Sequence, residues 1–382
     1  MQLSTDRILT THVGSLPRAN DELHTLLYAI DRGESCDQAR FDHLSKEAVN
    51  DVCRKQVTAG IDIVSDGEQS KIGYSSYIRH RVSGFEPANL PVIVPPDVAE
   101  YPEYALATYE AGNAPDFVQT ACTGPIASLG LGLAERDIAT FTAAIAATGG
   151  KEGFMPAASP GVISVFQPNQ YYATDEEYLF ALADAMKPEY DAIVAAGLVL
   201  QLDCPDLALG RHIFLVDMTD AEFAKRSELH IDALNHALRD IPAESARMHL
   251  CWGNYDGPHH HDIPVSNIIP LLNKAKPLAV SFEGSNPRHE HEWKEWDNAK
   301  LRDNMVLIPG VIDSHSNYVE HPEVVADRIT RYTDIVGRER VIAGSDCGYG
   351  TFASLHYTHP AIVWPKLEGL ATGAALASSR LF

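Results

Sequence analysis

The chain has 382 residues, 45% of them hydrophobic and 21% charged, which supplies a sizeable core and excludes wholesale disorder. A formal net charge of −22 opposes a phosphate backbone and excludes nucleic acid as a partner. No apolar run reaches the about 18–20 residues that span a bilayer, and MQLSTDRILTTHVG lacks the basic and apolar regions of a secretory signal, so no membrane partner is expected.

In chain order, short apolar runs that end in polar residues or glycine predict strands. They are ILTTHVGS (8–15), IDIVSDGE (61–68), FVQTACTG (117–124), GVISVF (161–166) and LVLQLDC (198–204). ARMHLC (246–251), LAVSFEG (278–284), MVLIPGVID (305–313) and VIAGSDC (341–347) follow. Helix-period segments lie between most of them. FDHLSKEAVNDVCRKQVTAG and DEEYLFALADAMKPEYDAIVAAG both stop at a glycine placed to terminate a helix.

Repeated strand–helix–strand units argue for parallel strands with crossover helices. A closed barrel needs eight strands and nine are predicted, so one is surplus. It falls in an irregular insertion around 84–125, where the prolines of EPANLPVIVPPDVAEYPEY suit a loop or edge hairpin. The expected architecture is one domain over 1–382, a TIM (β/α)8 barrel. An open doubly wound sheet is the rival, but no GxGxxG stands at a strand–helix junction.

Chemistry-bearing residues collect at the strand ends. Thr11, His12, Gly14 and Ser15 follow the first run, and Asp66, Gly67 and Glu68 the second. Asp203 with Cys204, His249 with Cys251, Glu283, Asp313 with His315, and Asp346 with Cys347 close later ones. In a barrel those ends share one face, where the active site lies. On a strand, His249 and Cys251 are two apart and point the same way. With Glu283 and Cys347 they make an N, S, S, O set suited to Zn2+. Two thiolates and a carboxylate leave such a zinc electron-rich, poor at acidifying water but able to hold a substrate thiol as a nucleophilic thiolate. A free thiol, with pKa about 8.5, is only slightly ionised at neutral pH. The expected chemistry is attack of sulfur on carbon.

MHLC, SFEG, IPGVIDSHS and SDCG, in this order, with TTHVGSLPR at the start and VSDGE after it, resemble the C-terminal catalytic barrel of cobalamin-independent methionine synthase. This lies within the wider superfamily that includes uroporphyrinogen decarboxylase. The resemblance covers nearly the whole chain and matches the short single-barrel members, since no additional N-terminal barrel is present. It implies His249, Cys251, Glu283 and Cys347 as zinc ligands. It further implies that Ser15, Glu68 and Asp203 hold the amino-acid part of homocysteine, and that His315 protonates the leaving nitrogen of the methyl donor. Asp313, two residues before His315, would raise its pKa and orient its ring, as a general acid requires. Two motifs depart from the family: its Asp-Glu-Pro reads Asp203-Cys204-Pro205 here, and its Thr-Gly-Pro reads Ser159-Pro160-Gly161. Both fall around the donor pocket and leave the donor open between methylfolate, an epoxide and others.

Remaining signals have a plainer reading. GPHHHDIP (257–264) reads as a solvated loop or, if functional, the pocket mouth, and RHEHEWKEWDN (288–298) as the exposed start of a helix. Cys204 is either a substrate contact at the rim or a small buried residue. His12 is a second candidate to reach the pocket. Cys36, Cys53 and Cys122 read as packing residues, and scattered cysteines predict a reducing cytoplasm. The expected partners are a small-molecule thiol and an alkyl or methyl donor, with self-association left open. The alternative functions are an epoxide-opening alkyltransferase for a sulfonate thiol of the coenzyme M type, with Arg18 and Arg79 as candidate sulfonate partners, and a catalytically silent zinc and thiol carrier.

Overall fold

The computed structural model describes residues 1–18, 20–91, 93–111, 118–353 and 355–382. Among the described residues there are ten strands: β1 (Leu9–Thr10), β2 (Ile63–Val64), β3 (Phe85–Pro87), β4 (Thr120–Cys122), β5 (Glu152–Ala158), β6 (Val199–Asp203), β7 (Ala246–His249), β8 (Ala279–Phe282), β9 (Val306–Ile312) and β10 (Ile342–Ser345). Eight form one parallel sheet in the order β1-β10-β9-β8-β7-β6-β5-β2. Its two edges meet. Asp62 N donates to Thr10 O (3.2 Å) and Thr11 Oγ1 to Ile63 O (3.1 Å), so the sheet curls into a nearly closed TIM barrel.

The helices follow from local chemistry. Gln38–Thr58 starts where the Asp37 side chain accepts from Arg40 N, and its buried face sets Val49, Val52 and Cys53 in the main core and Phe41 and Leu44 against Leu23 and Leu27. That spacing is one helical face, and each large side chain so buried contributes about 1.5–3 kcal/mol. Asp175–Ala195 begins with a reciprocal cap between Thr174 and Glu177. Both helices run out into left-handed glycines, Gly60 (φ 86°) and Gly197 (φ 79°), as their sequences predicted.

The surplus strand is β4. It pairs antiparallel with β3 off the barrel, and the helices Pro96–Ala99 and Pro102–Glu110 complete the insertion. Phe117, which opens the predicted run there, lies outside the described residues. One strand was misplaced. GVISVF is the helix Pro160–Phe166, because the Ser159 side chain accepts from Val162 N and Pro160 occupies the first turn. The true strand is β5, EGFMPAA, whose Gly153 and Pro156 look like breakers. Gly153 is needed there, since a Cβ would lie 2.4 Å from Ile145 Cδ1 of the packed helix Gly132–Thr148.

Inside the barrel, Leu9, Ile63, Phe154, Val199, Ala279, Val306, Ile308 and Ile342 form an apolar floor. A larger cluster fills the space between strands and helices. No helix among the described residues is long and apolar enough to cross a membrane.

Candidate active site

A buried polar layer lies on the floor. The Arg247 guanidinium sits 3.5 Å from the centre of the Phe154 ring and donates to Gln201 Oε1 (2.8 Å), Thr11 Oγ1 (3.0 Å) and His12 O (2.8 Å). Burial lowers its pKa to about 9. Strand alternation then carries the same face upward from Arg247 to His249 and on to Cys251 at the mouth.

There the sequence-predicted donors gather. His249, Cys251 and Cys347 are buried and present ligand atoms all within 4.8 Å of one another, with the two sulfurs 3.7 Å apart. Both ring nitrogens of His249 lack a hydrogen-bond partner among the described residues. Burial, then Arg247, lowers the His249 pKa to about 3, so the imidazole is the neutral form that binds metals. The hydrogen bond with Cys347, then burial and the Glu283 charge, raise the Cys251 thiol well above its ordinary value. A neutral imidazole without partners beside two thiols fits a soft-to-borderline cation.

Glu283 stands beside this set rather than within it. Its Oε1 accepts from Trp252 N (2.9 Å) and its Oε2 from Asn286 Nδ2 (2.8 Å). The loop carrying it is pegged by Asp346, whose Oδ1 accepts from Gly284 N and Ser285 N (2.9 Å each) and whose Oδ2 accepts from Asn286 N (2.8 Å). Burial, then Asp313 and Glu283, raise Asp346 to about 6. A Cβ on Gly310 would lie 2.0 Å from Asp346 Oδ1 and 2.6 Å from its Cα, a clash no rotamer relieves. Gly310→Ala is expected to cost about 1–3 kcal/mol, read from the denaturant midpoint; an unchanged midpoint would show that Asp346 does not depend on that glycine.

Two further buried carboxylates lie at strand ends, Glu68 just after β2 and Asp203 closing β6. Glu68 sits in a left-handed turn (φ 55°) with Oε2 unpartnered among the described residues, and burial raises its pKa. Asp203 Oδ1 accepts from Gln201 Nε2 (2.9 Å). Burial, then the Glu68 charge, raise Asp203 as well. Lys71 offsets part of this on both carboxylates, yet burial still leaves them poised to receive a cationic group. Ser15 is buried against Gly348, where a Cβ would come within 2.0 Å of its Oγ, and Ser15 O accepts from Tyr349 N (2.9 Å).

Asp313 and His315 share a turn. His315 N donates to Asp313 Oδ1 (3.0 Å), its Nδ1 lies 3.7 Å from the same oxygen, and its Nε2 has no partner among the described residues. Against the effect of burial, His315 holds the Asp313 carboxyl below the usual range. Asn254 ties this turn to the thiols: its Nδ2 donates to Gly348 O (3.0 Å) and its Oδ1 accepts from Ser314 Oγ (3.4 Å).

Burial and contacts decide the remaining readings, some for and some against the expectation. His12 does not enter the pocket; its Nε2 lies 2.8 Å from Gln56 Oε1 and its ring packs edge-on against Phe154. Cys204 belongs to the apolar core. His260 and His261 are exposed against Glu100 of the insertion, whereas His259 turns inward. RHEHEWKEWDN is not simply exposed, since His289 and Glu292 are buried. Arg247, Gln201, Asp346 and Tyr74 went unassigned from sequence. Tyr74 packs against Phe166 and Phe352, and after burial, the nearby Cys251, Cys347 and Asp203 help to raise its hydroxyl.

Fold and donor set together define a (β/α)8 barrel with a thiol-rich, metal-capable centre at the C-terminal ends of its strands. The resemblance read from the sequence holds along the chain, which is similar to proteins named methionine synthase. That of Sulfolobus acidocaldarius is 24% identical over 342 residues, covering 89% of this chain and 85% of the relative. That of Saccharolobus islandicus is 24% identical over 375 residues, covering 97% and 95%. The same fold occurs in a B12-independent methionine synthase from Shewanella sp. W3-18-1, solved with selenomethionine, at 18% identity and TM-score 0.74 over 98% of this chain and 99% of that one. A putative vitamin-B12-independent methionine synthase from Listeria monocytogenes has a TM-score of 0.64 at 17% identity, over 98% and 99%. No protein-family model matches the chain.

Proposed function

We propose that this chain, acting as one barrel domain, is a zinc-dependent methyltransferase whose acceptor is homocysteine or a related amino-acid thiol. The observation that carries the reading is three buried soft or borderline donors within 4.8 Å at the C-terminal ends of the barrel strands, where buried Glu68 and Asp203 also lie. The relatives named methionine synthase support the same class of reaction. His249, Cys251 and Cys347 would hold the zinc, and Glu283 would join as fourth donor only by giving up its bond to Trp252 N or Asn286 Nδ2. When bound, the ion would supply the positive charge that ionises a thiol at neutral pH.

The chain's own residues do the rest. Glu68 and Asp203 receive the acceptor's ammonium group, and Ser15 offers a hydroxyl to its amino-acid backbone. Tyr74, near Cys251 and Cys347 and backed by Phe166 and Phe352, helps to exclude water. A C–S bond forms as the bond from the methyl group to its carrier breaks, and His315, oriented by Asp313, gives its proton to the carrier's leaving atom.

The sulfonate-thiol alternative fits less well. Arg18 donates to the carbonyls of Gly350, Glu68 and Lys71, and Arg79 pairs with Asp31 at 2.9 Å.

The test is titration of the metal-loaded protein with homocysteine, coenzyme M and glutathione, with proton release followed calorimetrically. Homocysteine is expected to bind and release protons; the reading fails if no thiol binds or only the sulfonate thiol does. Asp203 supplies a pH signature. An acid whose folded pKa rises to about 8 binds more protons folded than unfolded above about pH 4, so ligand-free stability falls as pH climbs across that window. Asp203→Asn is expected to flatten that fall, measured as denaturant midpoints across the same range; an undiminished slope would remove Asp203 as its source.

A further inference from the structure

We propose that His212, His259 and Asp262 form a second metal site, distinct from the thiol-rich centre, which takes a divalent first-row transition ion through two imidazole nitrogens and a carboxylate oxygen. His212 lies in the wide π-helical turn Gly210–Phe214 after β6, and His259 and Asp262 lie in the loop after β7. Their ligand atoms fall within 4.8 Å of one another. The feature that points to an ion is a set of buried groups left unsatisfied. His212 is only 3% exposed, yet neither of its ring nitrogens has a hydrogen-bond partner among the described residues, and Asp262 Oδ1 has none either. His212 Nε2 and that oxygen face each other at 3.3 Å without hydrogen-bond alignment. A cation between them satisfies both, where an isolated buried imidazole would be costly.

The surroundings suit such an ion. The second oxygen of Asp262 lies 2.9 Å from His289 Nε2, and His289 Nδ1 lies 3.0 Å from Glu292 Oε2, so the carboxylate is oriented from behind. His259 Nδ1, 3.0 Å from the same oxygen, gives up its proton to solvent when it takes the ion. His259 is the partly exposed member and marks the way in. With no sulfur in the set, the donors favour Zn2+, Co2+, Fe2+ or Mn2+ with water in the open positions. The His289 ring also packs on Trp252 at 4.3 Å between centroids, and Trp252 N donates to Glu283. An ion at this site therefore braces the residue that follows Cys251.

The test counts metal on full-length protein stripped and reloaded with Co2+. A His260→Ala/His261→Ala background removes the exposed group around Glu100. About two ions per chain are expected after gel filtration. His212→Gln should keep one ion together with the cobalt–thiolate charge-transfer band. Cys251→Ser/Cys347→Ser should keep one ion and lose the band. The proposal is overturned if the double cysteine variant binds no cobalt, or if His212→Gln still binds two ions. The cysteine variant leaves all three proposed ligands intact, so its count decides the matter even if His212→Gln fails to fold.

Discussion

Cys251→Ser is expected to empty the thiol-rich centre and abolish transfer to sulfur. The side chains are nearly the same size, so packing around residue 251 should survive; what changes is the donor. A serine hydroxyl stays protonated where a thiol ionises, and a hard oxygen replaces a soft sulfur. Altering groups that merely orient metal ligands costs about 10–100-fold in affinity or activity, and losing a direct donor should exceed the upper figure. The measurement is bound zinc per chain together with the methyl-transfer rate. Cys36→Ser, at a half-exposed position remote from the cluster, serves as the control. Full zinc content and unaltered transfer in Cys251→Ser would remove the thiol cluster from the mechanism.

His315→Asn carries the second large effect and separates binding from chemistry. Asparagine keeps a polar group of similar reach but cannot exchange a proton near neutral pH. The turn that presents it should stay in place, because Asp313 N donates to Glu320 Oε1 (2.8 Å) and Glu320 is held by buried Lys366 (2.9 Å). Thiol binding should therefore match the unsubstituted protein, while single-turnover transfer slows by about 10²–10⁴-fold, the range of general acid catalysis. An equal loss in both measurements would recast His315 as a binding group.

What was legible in the sequence reflects how local each signal is. His249 and Cys251 declare themselves because strand alternation converts a spacing of two into a shared face. The two long helices were readable from apolar period and terminal glycines. β5 was not, because Gly153 and Pro156 contradict strand propensity; Gly153 is accommodated by the helix packed outside it, and Pro156 packs on the other face beside Gly14. Arg247 was equally hidden. A charged residue in a strand looks like a solvent-facing one until its partners appear, and Thr11 lies 236 residues away. Glu283 shows a third case: its neighbourhood was legible, but its hydrogen bonds to Trp252 and Asn286 depend on a loop shaped by Asp346.

The pairing of β1 with β10 has a consequence for biosynthesis. Cys251 and Cys347 are separated by 96 residues, and the strand that presents Cys347 must dock against one made at the very beginning. A nascent chain thus carries one thiol of the centre for a long interval before the other leaves the ribosome. The donor set of the thiol-rich centre is therefore complete only after ring closure, and a chain released before β10 holds His249 and Cys251 without the second thiol.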